Sequence, residues 1–290
     1  NRVMGLMMEK VYALLYKVHS YKWPVIGYME DLDRTSVEKA KQFYKTFYSP
    51  NNAVLVIAGD FNTSKVKSLV EKYYGAMKSQ EIHRPVVKEE PAQKAQRTEI
   101  FYKDVQNDYL NISYRLPGVR SAEIPNLEIL SRILGEGNSS RLHSKLVYNL
   151  QIATAVSAYV MTNLDSSILQ FVVALKPTAN KEEADKILNK AKQVILSEVL
   201  EARNRPVKDA EISKAQNQII KTLVDSLKTI DGRASSLASN EIMMGSYEKL
   251  FSDIENYLRV KSVDIKESAS RYLNVSQSNI VIARPEKFKK

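Results

Sequence analysis

An α+β fold is what this sequence predicts, and three observations predict it. Two pairs of strand-like runs, 98–103 with 109–116 and 153–161 with 167–175, are separated by connections short enough for hairpins. Long amphipathic patterns fill 180–203 and 207–228, and shorter ones fill 233–244, 247–257 and 262–273. Finally, Ser36 to Gly59 reads as helix, turn and apolar run, and Ser262 to Pro285 repeats it. At a constant offset of 226, Ser36 matches Ser262, Glu38 matches Asp264, and Val54-Leu55-Val56 matches Ile280-Val281-Ile282. A repeat at that separation suggests two similar halves.

Taken in order, Arg2 to Lys17 places Met4, Met7, Met8, Val11, Leu14 and Leu15 at helical spacing. The methionines read as flexible core filling. Val18 to Asp33 reads as loop, punctuated by Trp23-Pro24 and Gly27. Thr35 or Ser36 caps the next helix, whose apolar face is Val37, Ala40, Phe43, Tyr44 and Phe47, and Pro50 stops it. Ala53 to Ala58 is unbroken apolar sequence of strand length, which predicts a strand buried on both faces. Thr63 to Tyr74 is a further helix with Gly75 at its C′ position. Ser79 to Gln96, with two prolines and a charged cluster, reads as a linker. The 109–116 strand alternates Leu110, Ile112, Tyr114 and Leu116, a half-buried pattern. A helix over Asn126–Leu134 ends at Gly135, a loop leads to a helix over 140–149, and Ile280–Ala283 is the last strand.

Composition narrows the function. With 44% apolar and 26% charged residues the chain can bury ordinary cores. Its net charge of +10 is spread along the sequence, which favours a basic surface over a nucleic-acid face. No apolar run reaches the roughly 18 residues of a membrane span. Without cysteine there is neither a disulfide nor a thiolate nucleophile, and the compartment stays open between periplasm and cytoplasm. A chain that opens inside a helix is silent about any leader.

The three histidines, His19, His83 and His143, stand in a loop, the linker and a helix, without the spacing that places zinc ligands on one face. The loop from Gly135 to Leu142 lacks the G-K-[ST] ending of a phosphate loop, and it joins helix to helix, with Ser139 or Ser140 as N-cap. No G-x-S-x-G elbow presents a serine nucleophile. Asp209 suits a cap or first-turn carboxylate after Pro206.

Tyr21-Lys22-Trp23-Pro24-Val25-Ile26-Gly27, then Tyr48-Ser49-Pro50-Asn51-Asn52-Ala53 running into Val54 to Asp60, resembles the M16 metallopeptidases, the relatives of insulinase, pitrilysin and mitochondrial processing peptidase. Ser139-Ser140-Arg141-Leu142 is similar to that family's second-domain S-S-R-L loop, and the detail is nearest the two-domain bacterial members. The resemblance implies αβ rolls of the LuxS/metallohydrolase type, with paired halves enclosing a peptide chamber. It implies zinc held by an H-x-x-E-H motif in the first half and by a later glutamate. None of that motif occurs in this sequence. By the repeat offset Asn1 corresponds to Leu227, so the first half lacks about 129 residues of its sister. The zinc is therefore expected in a missing N-terminal part or a partner chain, and no metal or catalytic residue is expected here.

In the second half, the places of the zinc motif hold Asn126, Ile129 and Leu130, which cannot bind zinc. Some relatives hold substrate with an Arg and a Tyr seven apart. Aligned on Gln151, those places are Val147 and Thr154, so the usual pair is absent. Arg141 and Tyr148 have the same spacing and are weak substitutes, with Asn138, Ser139 and Ser140 beside them. The competing reading leaves Arg141 solvated and Tyr148 packed.

These readings divide the chain into 1–78, the end of a catalytic-type half; 79–97, a linker; and 98–290, a whole second half. They describe a fragment of a zinc-dependent endopeptidase that forms the non-zinc wall of the peptide chamber. The alternative is a naturally non-catalytic M16-like subunit or scaffold. The expected partners are a peptide substrate and the missing half or a zinc-bearing chain. A homodimer is compatible, and neither nucleic acid nor a membrane span is expected.

Overall fold

A computed structural model describes residues 3–289. The described residues of 1–23, 88–221 and 253–290 form one compact unit, and 24–87 with 222–252 form another.

The first unit is built on a five-stranded sheet. Its strands are β1 (Arg97–Lys103), β2 (Tyr109–Arg115), β3 (Ala153–Met161), β4 (Ile168–Leu175) and β5 (Asn279–Pro285), in the order β1-β5-β2-β4-β3. The last strand of the sequence thus lies between β1 and β2, so the 98–103 and 109–116 runs do not pair as the hairpin their short connection suggests. β5 runs parallel to β1, with Ile280 opposite Thr98, and antiparallel to β2, with Ile282 opposite Leu110. The pairs β2–β4 and β4–β3 are antiparallel, and β3 and β4 form a hairpin.

Side chains alternate between the two faces of a strand. One set, including Leu110, Ile112, Leu169, Phe171, Ile280 and Ile282, packs under the helices α5 (Ile124–Gly135), α7 (Lys181–Asn204), α8 (Asp209–Ser226) and α11 (Ser262–Tyr272). The other set, including Phe101, Ile168, Val281 and Ala283, packs under α1 (Val3–Leu15) through Met7, Val11, Leu14 and Leu15. Those four residues fall at i, i+4, i+7 and i+8, one face of a helix. The half-buried pattern predicted for 109–116 is therefore corrected: Asn111 and Ser113 are also buried, because a helix from far up the chain covers their face. Asn111 donates there to Gln170 Oε1 at 2.8 Å, while its own Oδ1 has no hydrogen-bond partner among the described residues. Arg2, where the sequence starts this helix, lies outside the described residues.

The second unit contains α2 (Met29–Asp33), α3 (Val37–Phe47), α4 (Thr63–Tyr74), α9 (Ile230–Met244) and the start of α10 (Lys249–Leu258). Ser36 caps α3 by accepting from the Lys39 N–H, as its sequence predicts, and Asn62 caps α4 through Lys65. Gly75 closes α4 in a right-handed conformation at φ −61°, so it supplies no left-handed turn. Two expectations fail. The 18–33 loop contains α2 and a 3-10 turn over Ser20–Lys22. Ala53–Ala58 forms no strand, and Val54, Leu55 and Ile57 are exposed. A strand exists only where neighbours take up its N–H and C=O groups; β5 has two such neighbours, and 53–58 has none among the described residues. The apolar face of α3 is uncovered too, with Phe43, Tyr44 and Tyr48 exposed. Leu250 is the only buried large apolar side chain among this unit's described residues.

The structure also shifts the repeat by one residue. The N-caps Ser36 and Lys261, the C-caps Tyr48 and Leu273, and the 3-10 turns Pro50–Asn52 and Val275–Gln277 are all 225 apart. That register aligns Val56-Ile57-Ala58 with Val281-Ile282-Ala283, identical in sequence. A one-residue slip exchanges the faces of a strand, so the offset of 226 assigns each side chain to the wrong side.

Candidate functional site

The residues singled out in the sequence lie together at one end of the first unit, between the end of α5 and the edge strand β3. Gly135 ends α5 where it touches the sheet: a Cβ on it would stand 2.4 Å from the Ala158 nitrogen and 2.5 Å from the Ala158 Cβ. Only glycine lets the helix end approach β3 this closely. Gly137 turns the chain with φ +78°, and Ser140 leads into α6 (Arg141–His143) and then into a π-turn over Ser144–Asn149. The sequence reads 140–149 as one regular helix. The wider π-turn lets the Leu150 N–H reach the Lys145 carbonyl at 2.9 Å. Gln151, with φ +51°, then turns the chain into β3.

Asn138 and Ser139 are exposed on the loop, and Ser139 accepts from the Lys214 ammonium. Ser140 is buried, and its hydroxyl has no partner among the described residues. It stands at the N-cap position, as one of the expectations had it, but its side chain makes no capping bond. Tyr148 is exposed and lies edge-on to His143, with ring centroids 5.0 Å apart.

Arg141 points to different neighbours. It makes a two-pronged contact with Glu211, Nε to Oε1 and Nη2 to Oε2, both 2.7 Å. Its Nη1 lies 3.5 Å from Glu198 Oε2. Glu198 is 1% exposed and also pairs with Lys145. Hydrogen bonds from Arg141 outweigh burial and hold the Glu211 carboxyl below the usual carboxylate range. The Arg141 guanidinium is raised in turn, chiefly by the same bonds. Glu211 also accepts from the Lys208 N–H at the start of α8. The loop after α5 is thereby fastened to α7 and α8. Sequence reasoning missed both glutamates. Glu198 had a signal, since it shares a helical face with Ala191, Ile195 and Ala202 of the core.

β3 is an outer strand of the sheet, with one edge unpaired among the described residues. Ala153–Met161 contains no charged residue and no proline, whereas the opposite outer strand carries Arg97, Glu99 and Lys103. Outer strands are normally guarded by such charges. A bulge at Thr154 interrupts the pairing of β3 with β4. Thr154, Ala155, Ser157 and Tyr159 are exposed. The arrangement offers an extended chain unpaired backbone groups beside a loop and a tyrosine.

The places that would carry a zinc motif do not fit a metal. Ile129 and Leu130 are fully buried in the apolar core, and the Asn126 amide donates to Ser268 Oγ at 2.9 Å. No group of three or more metal-ligating side chains occurs among the described residues. No helix among them is long and apolar enough to cross a membrane.

Residues 34–219 match the family model described as the peptidase M16 inactive domain. This chain belongs to the M16 peptidase family. It is similar to a zinc protease of Helicobacter pylori, PqqE, with 29% identity over 98% of this chain and 63% of that protein. It spans less than two thirds of the length of that relative. The crystal structure of a protease from Helicobacter pylori superimposes with a TM-score of 0.85 and 26% identity, over 97% of this chain and 67% of that one. A chain of Complex III2 from Candida albicans shares the fold, with a TM-score of 0.80 and 18% identity over 96% of this chain and 66% of that one. The M16 match fits the α+β sheet-and-helix architecture predicted from the sequence.

Proposed function

We propose that this chain is the part of a zinc-dependent M16-type endopeptidase that lacks the metal and walls the peptide chamber. The observation that carries the reading is the family match to an inactive domain, combined with apolar residues at the zinc-motif places of α5. Zinc and the general base belong to a part outside these residues, either N-terminal sequence or a zinc-bearing chain. The names of the relatives support a zinc protease as the parent activity.

The division into 1–78, 79–97 and 98–290 describes two related halves joined by a linker, and the 225-residue repeat supports it. Within the second half, an extended peptide docks along the open edge of β3, flanked by Asn138, Ser139 and Tyr148. Backbone pairing supplies affinity without demanding one sequence, and the side pockets supply selectivity. Arg141 contributes by holding the loop, since it is already committed to Glu211 and Glu198.

The test is a comparison of the 290-residue chain with the product of the whole gene. The reading expects the chain to bind a peptide without cleaving it, and the whole product to cleave it until zinc is chelated. Chelator-sensitive cleavage by the chain alone would sink it. A second reading, a non-catalytic subunit or scaffold, is favoured by the shared fold with a Complex III2 chain. It expects no H-x-x-E-H in the whole gene.

A further inference from the structure

The chain leaves the first compact unit after Trp23 and re-enters it at Lys88. Between these points, 24–87 has no covalent tie to that unit except its two ends. Both ends meet at one carboxylate. Glu90, in a stretch without helix or strand, is only 9% exposed. Its Oε1 accepts from the Lys17 N–H at 2.8 Å, and its Oε2 accepts from Val18 at 2.7 Å and His19 at 2.9 Å. These are three consecutive N–H groups just beyond the C-terminal end of α1. Three donors converging on one carboxylate favour its charged form.

The same knot is fixed to the sheet on several sides. His19 is buried, its Nδ1 accepts from the Tyr21 N–H at 3.1 Å, and its Nε2 lies 3.5 Å from Asp165. Tyr16 donates to Ser166, and Arg115 donates to the Pro91 carbonyl. Immediately outside the knot the chain changes character. Val25 and Ile26 are almost wholly exposed, Gly27 is left-handed at φ +73° with open space around it, and Val86 is almost wholly exposed in an irregular stretch. The other two crossings, after Lys221 and before Asp253, fall inside the continuous helices α8 and α10.

We infer that Glu90 is a clasp at the root of the 24–87 segment: its carboxylate pins the outgoing chain at 17–19 to the returning chain at 90. Release of the clasp frees the returning stretch and exposes it to exchange and cleavage. This role is independent of whether the chain walls a peptide chamber.

The test compares the chain with Glu90→Gln and Glu90→Ala, and with Glu182→Gln, which alters an exposed pair on α7, as control. Amide exchange by mass spectrometry reports on 16–20, 79–92 and the sheet, and limited proteolysis reports on 79–92. The clasp predicts roughly tenfold faster exchange over 17–19 and roughly tenfold faster cleavage within 79–92 in both Glu90 variants, with sheet exchange unchanged. Three results would overturn it: unchanged exchange over 17–19; faster exchange there without faster cleavage within 79–92; or equal loosening of the sheet, which would make Glu90 a part of the core. Equal effects in the Glu182 control would overturn it as well.

Discussion

Replacing Glu211 by Gln tests how the candidate site is held. The side chain is about one quarter exposed and makes two charge-assisted bonds to Arg141, each 2.7 Å, while also accepting from the Lys208 N–H. A hydrogen bond to a charged group contributes about 1.5–3 kcal/mol. The glutamine keeps one acceptor oxygen and Arg141 keeps Glu198, so the expected loss at pH 7 is about 2 kcal/mol, roughly the worth of one such bond. The pH dependence follows from Glu211's carboxyl being depressed in the fold. A depressed carboxylate contributes stability above its unfolded pKa of about 4.3 and loses it as pH falls through the lower folded value. Urea unfolding of both proteins should therefore show the full difference at pH 7 and at pH 5.5. It should shrink once the pH falls well below the usual carboxylate range. Equal stability at pH 7 would refute the reasoning, as would a difference that persists unchanged in strong acid.

Four further outcomes are expected. Gly135→Ala must push α5 off β3, because the added Cβ has no room beside Ala158; a loss of about 2 kcal/mol by thermal unfolding is expected. Leu15→Ala, in the fully covered face of α1, should cost about 3 kcal/mol by the same measurement. Ser157→Lys places a charge on the exposed face of β3 and should weaken capture of an extended neutral peptide roughly tenfold, by fluorescence anisotropy, while moving stability by less than about 0.5 kcal/mol. Tyr148→Ala should lower the same affinity with an unchanged melting temperature, since the ring is exposed and packs edge-on to His143.

Local chemistry made much of the fold legible. Ser36 announces one helix, and the 98–103, 109–116, 153–161 and 167–175 runs become β1 to β4 with ends shifted by a residue or so. What failed depended on partners distant in sequence. Ala53–Ala58 has strand composition but no neighbouring strand, so its composition could not decide its state. The 109–116 run looked half-buried because nothing local reveals that α1 covers its second face. The repeat was visible, but its register was fixed only by matching caps and turns, since serines at 36 and 262 invite a slip of one residue. At the site, the S-S-R-L loop drew attention to Arg141 and Tyr148. It could not reveal that the guanidinium is already spent on Glu211 and Glu198, nor that the adjacent strand is open and uncharged.

The most direct test of the account measures zinc content and peptide hydrolysis, with and without chelator, for the purified 290-residue chain beside the product of the whole gene. The account predicts no zinc and no hydrolysis for the chain, and both zinc and chelator-sensitive hydrolysis for the whole product. Stoichiometric zinc with chelator-sensitive cleavage in the chain alone would contradict it.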